Sequence, residues 1–144
     1  MDGPHAEALF DRAVALWNTR DFHGAHEDWE TLWNDEEGDR RLWLQGLIQY
    51  AAALFHVERG FYATGFVKLM RSAAEKVVEH DARGERIRFD LLARDLAPWH
   101  AHAAEVEQGR PFLERRPPLP VIAYRDGVTP HPLPPEPPVD EEAS

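Results

Sequence analysis

The sequence predicts an all-α fold, a compact bundle of five or six helices built from paired helical hairpins and followed by an extended Pro-rich C-terminal tail. Three observations carry that prediction. Apolar residues recur at three- and four-residue spacing through most of residues 1–109, as in helices with one buried face. The segment Leu42 to Val57 holds no Asp, Glu, Lys or Arg, and its apolar side chains run nearly all the way round a helix, as in one surrounded by others. Ten of the twelve prolines lie between Pro111 and Pro138, where they exclude helix and favour extended chain. The chain therefore divides into a helical domain, 1–109, and a Pro-rich tail, 110–144.

The first helix is expected over residues 4 to 18. Asp2 or Gly3 can cap it, Pro4 suits its first turn, and Ala6, Leu9, Phe10, Ala13, Leu16 and Trp17 form its apolar face. After a turn at Asn18 to Asp21, Phe22, Ala25, Trp29, Leu32 and Trp33 give the second helix a full amphipathic stripe. A third runs from about Arg40 to Arg59 with Gly60 as C-cap, and forms the centre of the bundle. The fourth, Tyr62 to about His80, packs through Phe66, Leu69, Met70, Ala73 and Val77, and Asp81 to Arg86 is a charged loop. An offset of 40 residues superposes Phe22 on Tyr62, Ala25 on Gly65 and Trp29 on Leu69, a hint of two related hairpins.

Phe89 to Gln108 has helical periodicity interrupted by Pro98, which removes a hydrogen bond and clashes with the preceding turn, so two short pieces are expected there. Within the tail, Leu119 to Gly127 is apolar enough to lie along the body as a strap, and Asp140 to Ser144 should be disordered.

Composition narrows the function classes. There is no cysteine, which excludes disulfides, thiolate zinc sites and thiol nucleophiles and fits a cytoplasmic protein. The N-terminal run carries acids where a secretory signal would carry a basic and then an apolar region. The net charge is −10; the tail carries four basic and six acidic residues, which leaves −8 on residues 1–109. Such a field repels phosphate backbones, so nucleic acid is not expected as a partner. No uncharged stretch reaches the roughly 20 apolar residues of a membrane span, so no membrane is expected either. The two serines are Ser72 and Ser144, and no G-x-S-x-G elbow occurs.

The run His26 to Trp33 is where chemistry concentrates. On a wheel of 100° per residue, His26 lies roughly 70° from the middle of the apolar stripe, Glu30 roughly 110° and Glu27 roughly 170°. Asp28 falls on the far side and is expected in solvent. On the third helix Gln45, Gln49, Ala52 and His56 fall at i, i+4, i+7 and i+11, one polar line along a helix otherwise buried. Three chemistries suit such a set. His26, Glu30 and His56 can ligate a divalent zinc, iron or manganese ion with Glu27 as a base, although H-E-x-x-H and a repeated E-x-x-H are both absent. His26, Glu30, Gln45, Gln49 and His56 can instead satisfy one another as a buried network. Or the same groups, walled by Trp33, can hold a small polar ligand or a partner's side chain. Trp99, His100 and His102 are expected at the surface, since residues two apart on a helix diverge, and His80 with Asp81 is read as a helix end.

The order His26-Glu27-x-x-Glu30-x-x-Trp33, then Gln45-Gly46-Leu47-Ile48-Gln49, then His56 and Gly60, resembles the bacterial family catalogued as domain of unknown function 309, over about Leu16 to Ala74. The resemblance implies a compact all-α fold with these polar residues near its middle, and no activity. The functional expectation is a non-enzymatic helical module that binds a small polar ligand or protein through His26, Glu27, Glu30, Trp33, Gln45, Gln49 and His56, without a required cofactor and with a homodimer open to its apolar helices. A metal-dependent, hydrolytic enzyme is the alternative.

Overall fold

The helix α3, Gly38–Glu58, is the element that the others cover. Its Trp43, Leu44, Gly46, Leu47, Ile48, Tyr50, Ala51, Ala53, Leu54 and Val57 are buried, which fits the all-round apolar pattern of its sequence. The computed structural model describes residues 3–59, 64–77, 87–109 and 117–125. Among these, α3 is joined by α1 (Gly3–Asn18), α2 (Phe22–Trp33), α4 (Thr64–Val77) and α5 (Phe89–Glu107), and no strand longer than an isolated bridge is formed. Successive helices pack together, α1 on α2, α2 on α3, α3 on α4 and α4 on α5. The expected Gly60 cap, the outer ends of the fourth helix with His80, the loop Asp81 to Arg86 and the terminal Asp140 to Ser144 lie outside the described residues.

Glycine sets the closest of these contacts. A Cβ at Gly46 would lie 2.5 Å from Val77 Cγ2 and 3.0 Å from Lys76 Cβ, so α3 approaches the end of α4 at a distance no larger side chain tolerates. Aromatic rings fill the wider spaces. Trp17 meets Phe22 edge-on at 5.2 Å and Trp29 at 5.8 Å, Phe10 reaches Trp29 and Trp43, and Trp43 meets Phe89 at 4.9 Å. This chain of rings ties α1, α2, α3 and α5 into one core.

Two sequence expectations fail at α5. The helix runs unbroken from Phe89 to Glu107 with Pro98 inside it, where two pieces were expected. Pro98 and Ala97 are exposed, and Arg94, whose carbonyl loses its partner to the proline, is exposed as well. Water can satisfy that group, and the buried face Leu92, Leu96, Trp99, His102, Ala103 holds both halves in one line. The same face overturns the surface assignment of Trp99 and His102, which are 0% and 4% exposed. Only His100 and His102 are two apart; Trp99 and His102 are three apart and share one face of α5. Here Phe66 of α4 packs on both rings from one side, and Trp99 is hydrogen-bonded by the strap from another.

The strap is present over 117–125 and is anchored throughout. Trp17 and Trp99 donate their indole N–H groups to the carbonyls of Pro120 and Pro118 at 2.8 and 2.9 Å. Asn18 accepts from the Ile122 N–H at 2.8 Å and donates to the Ile122 carbonyl at 3.0 Å. Tyr124 donates to Asp11 at 2.8 Å, Arg88 N–H to the Ala123 carbonyl at 2.8 Å, and Ile87 bridges Tyr124 in antiparallel fashion. Ile122 itself enters the core.

Candidate functional site

The polar face of interest is built on α2, and Asp21 starts that helix. Its carboxylate accepts the Gly24 N–H at 2.9 Å, and Gly24 leaves the carboxylate room, since a Cβ there would lie 2.7 Å from Asp21 Oδ2. The register that follows buries Phe22, Ala25, Trp29 and Leu32 against the core. His26 comes to rest half-buried at the margin of that face, as the wheel implies. Trp33 is half-buried one helical repeat on, with the Arg41 guanidinium 3.7 Å above its ring.

Glu27 and Glu30 are both exposed. Glu27 sits 3.3 Å from His23, one turn earlier on the same helix. Asp28, expected in solvent, is the buried acid of the stretch. It is 8% exposed and paired with Arg12 of α1, Nε to Oδ2 at 2.9 Å and Nη2 to Oδ1 at 3.5 Å. The wheel set Asp28 on the far side of α2 from the apolar stripe, but Arg12 of α1 reaches it there. A charge buried there is held by a forked, charge-assisted partner.

On α3 the polar line is formed as the spacing implies. Gln45, Gln49, Ala52 and His56 are all half-buried, neither in the core nor free in solvent. His56 points toward α4, its Nε2 lying 3.8 Å from the place a Cβ on Gly65 would take. Among the described residues no three His, Asp or Glu side chains, His26, Glu30 and His56 included, are grouped to hold a metal ion.

The chemical content of the face lies in atoms that the fold leaves unsatisfied. His26 Nδ1 and Trp33 Nε1 on α2, and Gln49 Oε1 on α3, are buried and have no hydrogen-bond partner. The Trp29 indole N–H, deeper in the same helix pair, is in the same condition. Each such atom costs about 1–3 kcal/mol relative to a paired one, so mutual satisfaction, the property of a closed polar network, is not achieved at these positions. Trp33 can only donate, Gln49 Oε1 can only accept, and His26 Nδ1 can do either according to its tautomer.

Two groups of interest were not read from the sequence. The His23 ring stacks on His26 at 6.1 Å and meets Phe55 of α3 at 5.0 Å, so it closes one end of the face. Its signal was the i, i+3 spacing to His26. The second is Tyr50 with His100, whose hydroxyl and Nε2 lie 2.9 Å apart with the rings stacked at 5.7 Å. Burial raises the Tyr50 phenol far above its ordinary range and lowers His100, so both are neutral near pH 7. Fifty residues separate them and no local pattern joins them. His100 also lines a cleft of about 290 Å³ between α4 and α5 with Met70, Ala74 and Ala103.

Residues 10–69 match the family model described as Domain of unknown function (DUF309). The match spans 60 of the 144 residues, from the first helix into the fourth. No curated protein and no solved structure matches it. The DUF309 segment contains every residue of the α2–α3 face, from His23 to His56, and ends within α4. The helix α5 and the strap lie outside it, and the unpartnered atoms of His26, Trp33 and Gln49 lie within it.

Proposed function

We propose that this chain is a non-enzymatic binding module whose α2–α3 face takes a small polar ligand through His26, Trp33 and Gln49, bordered by Glu27, Glu30, Gln45 and His56. The observation that carries the reading is the set of unpartnered atoms at His26 Nδ1, Trp33 Nε1 and Gln49 Oε1. All three residues are half-buried, so each lies at the margin of the body, and a ligand that supplies the missing partners recovers the cost of their burial. The complement of one obligatory donor, one obligatory acceptor and one imidazole nitrogen is a ligand bearing both an acceptor and a donor, such as a primary amide or an amino-acid head group. The cysteine-free composition fits a cytoplasmic setting.

The test is stability against binding. Gln49→Leu removes an unsatisfied acceptor and His26→Ala an unsatisfied ring nitrogen, so each variant should fold with unchanged or slightly raised stability in urea. In parallel, the Trp33 indole N–H resonance of the wild type should move on titration with acetamide or glutamine, and Gln49→Leu should weaken that response. A loss of about 1–3 kcal/mol in both variants, with an indole signal insensitive to either probe, would assign these residues to the fold alone.

A further inference from the structure

The strap meets the helical body through chemistry suited to proline-rich chain. Proline-rich segments leave their carbonyls unclaimed by any helix or sheet, and aromatic grooves that donate to those carbonyls are a general way of binding them. Here Trp17 and Trp99, from two different helices, donate to Pro120 and Pro118. Asn18 then grips both backbone groups of Ile122, whose side chain is 3% exposed. The pattern read by the groove is Pro-x-Pro-x-Ile, from Pro118 to Ile122.

The tail repeats Pro-Leu-Pro at Pro132 to Pro134, but continues with Pro135 and Glu136. That copy would set a carboxylate where Ile122 is buried, so the groove discriminates between them. The hydrogen bonds of the strap run to Asp11, Trp17 and Asn18 of α1, to Arg88, and to Trp99 of α5. None depends on covalent attachment to the same body. Residues 110–116 join α5 to the strap, and seven residues reach at most about 25 Å. Val121 is 58% exposed, so the strap shows one edge to solvent while Ile122 beside it is buried.

We propose that the groove between α1 and α5 is a docking groove for a Pro-x-Pro-x-Ile segment, and that its occupant in trans is the strap of a second copy of this chain, which gives a strap-exchanged dimer. A terminal arm whose contacts are equivalent in cis and in trans exchanges at a cost set mainly by concentration. The link holds the cis strap at an effective concentration on the order of millimolar, which masks the groove in the closed monomer.

The experiment uses the full chain and a fluorescent peptide with the sequence of residues 117–125. Wild type should bind the peptide weakly, whereas Ile122→Asp, which weakens the cis strap, should bind it at least tenfold more tightly. The same peptide with its isoleucine changed to aspartate should bind neither. Light scattering of the wild type should show a dimer fraction that grows with concentration and is lost in Ile122→Asp. If Ile122→Asp loses its helical circular dichroism, exchange is read instead in otherwise wild-type chain by energy transfer between Val121→Cys labels on two mixed samples. No saturable peptide binding by a folded variant, or no transfer after prolonged mixing, overturns the proposal. Equal binding of a peptide spanning residues 131–136 overturns it too, since the groove would then read proline in general.

Discussion

Removing the side chain that seats the strap should cost far more than a change in a tail ordinarily does. Ile122 is 3% exposed and belongs to the core cluster, and Asn18 holds both of its backbone groups. Large-to-small substitution at a buried isoleucine costs about 2–5 kcal/mol, and the strap, free to settle on one side, places Ile122→Ala at the lower end, about 2–3 kcal/mol. Asn18→Ala removes two hydrogen bonds worth about 1 kcal/mol each, and the exposure of Asn18 lets water replace part of that, so about 1–2 kcal/mol is expected. Because either change loosens the same segment, the double variant should lose less than the sum of the two. Equilibrium urea unfolding reads all three, and in a chain of this size the single variants should melt lower by roughly 2–4 °C per kcal/mol lost. A cost below about 0.5 kcal/mol for Ile122→Ala, or strict additivity in the double variant, would refute the view that the strap is one cooperative part of the core.

Gly46→Ala should destabilise the protein despite the higher helix propensity of alanine. The new methyl meets Val77 Cγ2 and Lys76 Cβ, and overpacking of about 1–3 kcal/mol outweighs a propensity gain of about 1 kcal/mol; a melting temperature at or above that of the wild type would show that α4 shifts freely. Stability should also fall on mild acidification. Burial lowers His100 and, against the opposing pull of Glu105, His102 below the ordinary 6.5, so the unfolded chain binds more protons between the folded and unfolded values. The contribution is full above about pH 6.5 and declines as pH drops below it, and His100→Gln should flatten that part of the curve of urea midpoint against pH.

The sequence by itself determined the helices that make one apolar face. Local periodicity is enough to set α1 and α2 and the middle of α3, because a 3.6-residue repeat decides which side chains share a face before any partner is known. It also determined the polar line Gln45, Gln49, His56 and the marginal position of His26, which follow from angle alone. The strap was legible as an apolar stretch in a proline-rich setting. What it fastens to was not, since Trp17, Asn18 and Ile122 meet across a hundred residues.

Only the tertiary structure decided the rest, for one recurring reason. A helical wheel has a single apolar centre, whereas a helix in a bundle can be covered from several directions. Asp28, expected in solvent, is buried where Arg12 arrives from α1. Trp99 and His102, three apart, share one face of α5, and both are buried because Phe66 of α4 covers that face. Pro98 ends a helix considered alone, yet α5 continues through it because the buried face on both sides of the proline holds the two halves in register. The unpartnered atoms of His26, Trp33 and Gln49 belong to the same class. Residue type says that such groups need partners, but only the packing of α2 on α3 decides which of them the fold leaves without one.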